Sequence, residues 1–271
     1  MRRSFLILIG IISAITAFSQ VKKQFFVEND GQVEKVDLKF RVNSGHCFIK
    51  PGETSDVLAV YSNQDTDNFS HSFDKEIRRK TCHLNLALED NKSQGLSQSI
   101  SYRMFGKSDE VAEKIWKVFL TKNLPYDLKL DYGIGNARMD LSGLAINKLK
   151  VYTGSADVII DYDPEAYNQV EMDTFYVKVD LGSIAINKMS LSKARHVVAD
   201  IGVGNLLMDF SDSPKVSSDI NGSVGAGNLI ILLPPSDVPV KVKVRNSWLC
   251  KVKINDNLKS IGDNTFVNKA Y

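Results

Sequence analysis

A pattern that returns restricts this chain more than any other feature. YGIGNARMD at residues 132–140 looks like a glycine-rich phosphate loop until four further lines are set beneath it: TGSADVIID, DLGSIAIN, IGVGNLLMD and VGAGNLIIL. Aligned on the residue after the last small position, their anchors are Asn136, Asp157, Ser183, Asn205 and Asn228, at intervals of 21, 26, 22 and 23 residues. A repeat of that length, recurring that often, marks stacked units. The position before each anchor is small: Gly135, Ala156, Gly182, Gly204, Gly227. The anchors are Asn, Asp or Ser, which tolerate left-handed backbone or bond their own main chain in turns.

Apolar residues follow each anchor at alternating positions, such as Ala137 and Met139 in the first line and Leu206 and Met208 in the fourth. Others precede it by eight and six residues, such as Leu128 and Leu130. Period-two alternation on both sides of a tight turn means strand, corner, strand. One such coil has too little apolar surface to stand alone, and stacked coils join theirs into columns along one core. The expected fold is all-β, a β-solenoid-like stack of short strands joined by glycine-rich turns. A dinucleotide loop needs one such turn between a strand and a helix, and no helical period follows here. A degenerate earlier copy, LKFRVNSGHCFIK, places Gly45 at the small position, His46 at the anchor, and Leu38, Phe40, Cys47 and Ile49 in the apolar columns.

Between that copy and the main array, Cys82, Leu84, Leu86 and Leu88 alternate as one strand, and Trp116, Val118 and Leu120 as another. Residues 51–80 and 89–112, rich in Ser, Asn, Asp and Gly, read as loops, with one helical turn over Ser108 to Lys114. Past the array VPVKVKV and WLCKVKI alternate again. Lys241, Lys243, Lys251 and Lys253 share a face, which discourages edge pairing, and Trp248, Cys250, Val252 and Ile254 are expected to turn inward and close the core. The domain reading is a leader at 1–19, an N-terminal β region with long loops at 20–123 and the repeat stack at 124–271, the last two continuous as one domain.

The leader has two arginines, an apolar run from Phe5 to Phe18, and small residues at Ala17 and Ser19. That is the pattern of a secretory signal peptide cut before Gln20. The run is short for a membrane span, so the expected product is exported, periplasmic or extracellular, with no transmembrane span in the mature chain. Of 34 basic and 32 acidic side chains the leader holds two basic ones and no acid. The remainder is balanced and offers no electrostatic footprint for nucleic acid. Cys47, Cys82 and Cys250 are too few and too scattered for a disulfide scaffold or a zinc site. In an oxidising compartment a Cys47–Cys82 bridge is the preferred pairing.

The run from Trp116 to Tyr162, WKVFLTKNLPYDLKLDYGIGNARMDLSGLAINKLKVYTGSADVIIDY, resembles the toast-rack family, which includes the soluble domain of LiaF-type cell-envelope stress proteins and secreted proteins labelled "putative adhesin". The resemblance rests on a tryptophan strand, the LPYDLKL strand, and G-x-G turns followed by DLSGLAI and TGSADV, and with the flanking repeats it extends over residues 36 to about 245. It implies an all-β stack in an envelope-associated protein without recognised catalytic residues. The chain departs from LiaF in having a cleavable leader where LiaF has several membrane helices, which puts a sensor partnership in doubt.

No cofactor or metal site is read from the residues. His46, His71, His83 and His196 lack metal-ligand spacing, with His46 at a corner and His71 in a loop. Asp140, Asp161 and Asp209 share a position in their coils, with Asn187 in the third, so a carboxylate ladder of calcium-binding or carbohydrate-cleaving type stands against a polar strand end at a turn. Outward positions between the inward pairs are Arg138, Ile159, Ala185, Leu207 and Ile230. Four of these are apolar, and an exposed apolar stripe marks an interface unless another part of the chain covers it. The expected function is a non-enzymatic envelope scaffold that binds a protein or a surface glycan through Ile159, Ala185, Leu207 and Ile230, with self-association possible. The alternative is a carbohydrate-active β-helix enzyme.

Overall fold

The computed structural model describes residues 21–90, 114–245 and 251–271. The leader, residues 108–113 of the expected helical turn, and Trp248 and Cys250 lie outside the described residues. The first part runs β1 (Lys22–Val27), β2 (Lys35–Pro51), β3 (Leu58–Ser62), β4 (Phe69–Arg78), β5 (Thr81–Asp90) and β6 (Ile115–Leu120). Long strands follow: β7 (Pro125–Asp140), β8 (Ala145–Asp161), β9 (Met172–Ile186), β10 (Ala194–Asp209) and β11 (Asp219–Leu232). Three short ones end the chain: β12 (Lys241–Lys243), β13 (Lys259–Gly262) and β14 (Thr265–Val267).

β2 and β7 to β11 pair in parallel, with Gly45, Gly135, Ala156, Gly182, Gly204 and Gly227 in one column. The repeat alignment is therefore the hydrogen-bonding register. Leu38, Leu128, Leu149, Phe175, Val197 and Ile220 are successive partners, as are Cys47, Ala137, Val158, Ile184, Leu206 and Leu229. At Gly204 glycine is required on two counts, whereas β8 places Ala156 at the same column position. The φ of +147° at Gly204 is backbone that L side chains avoid, and a Cβ there would stand 1.9 Å from the Gly182 carbonyl oxygen. The alternation also slips by one residue. In β7, Tyr126, Leu128, Leu130 and Tyr132 are buried before the corner, Ala137 and Met139 after it. In a flat strand that slip would send the second half's apolar side chains to the opposite face, and the bend returns them to the same interior.

β2 shows the consequence. Its first half, from Lys35 to Val42, pairs with β5, its second, from His46 to Pro51, with β6, while its other edge follows β7 throughout. The sheet is creased along the glycine column into two facing layers, one extended by β5 and β4, the other by β6, β3 and β1. These extensions meet where Phe25 of β1 packs on His71 of β4, ring centroids 5.1 Å apart, and Phe69 on Trp116 at 4.9 Å. Aromatic tethers lock this end. Trp116 Nε1 donates to the Ser44 carbonyl at 3.0 Å, and the Tyr126 hydroxyl accepts from Thr121 N–H at 3.1 Å and donates to the Val57 carbonyl at 2.6 Å. Burial pushes the Tyr126 hydroxyl pKa upward.

Connections from one coil to the next are plugged by Leu141, Leu144, Tyr162, Leu191 and Phe210, all buried. Asn168, 0% exposed, staples three coils together. Its Oδ1 accepts from Ile146 N–H at 2.8 Å, and its Nδ2 lies 2.9 Å from the Ile146 and Val170 carbonyls and 3.0 Å from that of Ser192. Such an amide is what a buried polar residue needs to avoid a desolvation cost of several bonds.

Three expectations need correction. Residues 51–80 are not loop throughout, since they hold β3 and β4, so His71 sits in a strand. β4 reads as polar because it is an edge strand exposed along most of its length, while β3 is a short apolar strand between β1 and β6. Cys47 and Cys82 are free. Cys82 pairs with Val36 on the first half of β2, whereas Cys47 lies beyond the corner opposite Trp116. Burial pushes the Cys47 thiol up to about 12. Finally, residues 251–254 form no strand, and Val252 is 48% exposed. The terminal alternation is satisfied instead in a separate sheet ordered β12-β14-β13, with Lys241 and Lys243 exposed on its edge strand.

Candidate interaction face

The creased sheet turns two surfaces outward, one per layer, and register decides which side chains each presents. On the second-half layer Phe48, Arg138, Ile159, Ala185, Leu207 and Ile230 are successive partners in a single row. With strands about 4.8 Å apart, the row runs roughly 24 Å along the stack. Ile230 is 50% and Phe48 40% exposed, and Ile159, Ala185 and Leu207 are half-buried. Arg138 interrupts the row, its Nε 3.6 Å from Asp161 Oδ2 on the next strand. The sequence reading missed Phe48. The signal was present, because the degenerate copy aligned on Gly45 carries Phe48 at the same offset as Ile159.

The first-half layer has a different surface. Lys35 pairs with Asp127 at 2.7 Å, Arg41 with Asp131 at 3.2 Å and Lys178 with Asp180 at 3.1 Å. Tyr152 and Tyr176 sit on neighbouring strands with ring centroids 5.5 Å apart, and Lys129 Nζ lies 5.1 Å from the Tyr152 centroid. Beside this layer is a charged hollow of about 540 Å³ lined by Asp37, Lys39, Asp74, Lys75, Glu76 and His83. His83 Nδ1 is 3.2 Å from Asp37 Oδ2 within it.

Of the three carboxylates in the ladder, two close turns and one bonds across to the next coil. Asp140 Oδ1 accepts from Ser142 N–H at 3.0 Å and Asp209 Oδ1 from Ser211 N–H at 2.9 Å, each closing the corner after its strand. Asp161 Oδ1 accepts from Asn187 Nδ2 at 2.7 Å. Among the described residues no group of three or more His, Cys, Asp and Glu is placed to hold a metal ion. No helix among them is long and apolar enough to cross a membrane.

A crystal structure described as a "putative cell adhesion protein" from Clostridium sporogenes ATCC 15579 is similar over 78% of this chain and 99% of its own, at 18% identity and a TM-score of 0.56. Another, described as a "putative adhesin" from Bacteroides fragilis NCTC 9343, matches 79% of this chain and 97% of its own at 14% identity and a TM-score of 0.30. The first likeness shows a shared fold. No match is found among curated proteins. The family described as the N-terminal domain of toast_rack, DUF2154, matches residues 16–182, more than half the chain: this chain belongs to the toast-rack family.

Proposed function

We propose that this chain is an exported, non-enzymatic envelope protein whose β-stack presents its outward apolar row to a protein partner. One observation carries the reading: Phe48, Ile159, Ala185, Leu207 and Ile230 stand in a single register row on the solvent side of a layer whose inner side is already filled. Apolar side chains in such a row gain most by meeting a complementary surface. The leader supports export. The spending of Asp140 and Asp209 in turn bonds, and of Asp161 in bonds to Asn187 and Arg138, favours a scaffold over a carboxylate-ladder enzyme. A role in adhesion would accord with the description of the Clostridium sporogenes structure.

A surface glycan is the second reading, favoured by the Tyr152–Tyr176 pair beside Lys129 on the other layer, since aromatic faces stack on sugar rings. Pull-down from envelope extracts with the chain from Gln20 onward tests both. The expected result is capture that is lost on changing Leu207 and Ile230 to Lys, in a variant that melts like the parent, and kept on changing Tyr152 and Tyr176 to Ala. The reverse pattern overturns the protein-partner reading in favour of the glycan.

A further inference from the structure

Charges on the outward surface of the first-half layer stand in pairs, with one exception. Asp127 is bonded to Lys35, Asp131 to Arg41 and Asp180 to Lys178, and Asp37 lies beside His83. Lys39, Lys129 and Lys150 are successive register partners on β2, β7 and β8, and all three are exposed. None of them forms an ion pair among the described residues. Neighbouring strands lie about 4.8 Å apart, and like charges directly opposite one another cost stability. A register that matches charges across the rest of the layer and leaves three cations in file points to an anion from outside the chain.

The same row continues into aromatic rings. The next partner of Lys150 is Tyr176 on β9, and Tyr152 stands beside it with ring centroids 5.5 Å apart. Lys129 Nζ lies 5.1 Å from the Tyr152 centroid, which ties the cations to the rings. From Lys39 to Tyr176 the strip crosses three strand spacings, roughly 14 Å, a length that takes a few linked sugar rings. A lipid surface is disfavoured, because none of the large exposed hydrophobic side chains stands in this row or in the rows beside it, and a docked membrane protein needs such residues to enter the acyl boundary.

We propose that this layer binds a linear acidic polysaccharide, with its carboxylates on Lys39, Lys129 and Lys150 and its ring faces on Tyr152 and Tyr176. The proposal rests on the surface-glycan reading and is independent of the apolar row, which faces out of the other layer. A uronate ring carries both groups that the strip offers to meet. Its carboxylate takes a lysine, and its C–H face packs on the electron-rich face of a tyrosine.

Calorimetric titration of the chain from Gln20 onward with polygalacturonate tests this, beside neutral dextran, polyphosphate and phosphatidylglycerol vesicles. Polygalacturonate is expected to bind, and to bind at least about ten-fold more weakly in 0.5 M salt than in 0.05 M as the charges are screened. A loss of similar size is expected for Lys129→Gln with Lys150→Gln, and again for Tyr152→Ala with Tyr176→Ala. Lys241→Gln with Lys243→Gln removes the same charge from β12 and is expected to leave binding unchanged. Because it relieves repulsion and keeps most of each apolar stem, the Lys129 and Lys150 variant is expected to melt no lower than the parent. If it melts lower, Lys150→Gln alone is titrated in its place and is expected to weaken binding. Dextran bound as tightly as polygalacturonate keeps the glycan reading and overturns the acidic one, and binding of neither overturns both. Polyphosphate or vesicles bound as tightly as polygalacturonate, or affinity unmoved by the lysine or tyrosine changes, also overturns the proposal.

Discussion

Among the described strands, the stack is closed by aromatic tethers at one end and ends on β11 at the other. At the β6/β2 end Trp116, Tyr126 and Tyr132 are at most 2% exposed, and their polar atoms are tied to main-chain carbonyls. At the β11 end the same interior is capped by Gly222, Gly225, Ala226 and Gly227, and the inward aliphatics remain half-wet. Coils of the same register thus differ in what they lend the fold. In a stacked array each unit draws its stability from its neighbours, so an interior coil pairs with two described strands and β11 with one.

The sharpest test of that difference is one substitution made twice. Gly204→Val and Gly227→Val meet the same obstacle, a carbonyl oxygen of the preceding coil 1.9 Å and 1.8 Å from the new Cβ, at φ of +147° and +132°. Gly204→Val is expected to cost more than about 4 kcal/mol and to prevent folding of the stack. Gly227→Val is expected to cost about 1–3 kcal/mol, with amide exchange accelerated in β11 alone, because the last coil can detach. Equal losses in both would break the comparison, and an unchanged melting temperature for Gly204→Val would refute the crease argument itself.

Next in size is a cavity. Phe175→Ala removes a fully buried ring and is expected to cost about 3–5 kcal/mol, whereas Leu229→Ala at the β11 end should cost about 1 kcal/mol, since less surface returns to water. Urea unfolding of both variants checks the ratio. At the closed end Tyr126→Phe keeps the packing but leaves the Val57 carbonyl without its donor, for an expected loss of about 1–2 kcal/mol. The smallest effect should come from Arg41→Ala. Its bond to Asp131 is largely exposed, so about 0.5 kcal/mol or less is expected, vanishing in high salt.

Legibility in the sequence followed the same division. The long strands announced themselves because each buries one face in alternation and turns at a small residue, and the alignment of the anchors is their register. Even the degenerate copy at Gly45 fell into its column. β4 stayed hidden because an edge strand exposed on both faces has no alternation to show, and β1 because it is too short. Cys47 and Cys82 were misjudged as a pair for a related reason: sequence spacing does not reveal that a crease separates them. The terminal WLCKVKI alternation misled in the opposite sense, since it reads as a strand although residues 251–254 belong to none and Val252 is exposed. Within the candidate face, Ile159 to Ile230 followed directly from the repeat, while the charged and tyrosine-bearing layer was not anticipated, because its residues vary from coil to coil.

Parallel, in-register coils also respond to force in a direction-dependent way. Tension along the strands loads every bond of a ladder at once, in shear. Tension along the stack, held at β2 and drawn from β11, loads one strand pair at a time. The second geometry would peel the molecule coil by coil. Each released coil of 21 to 26 residues would pay out roughly 70–90 Å of chain, so a pull from the β11 end should lengthen the molecule in discrete steps while the closed end still holds.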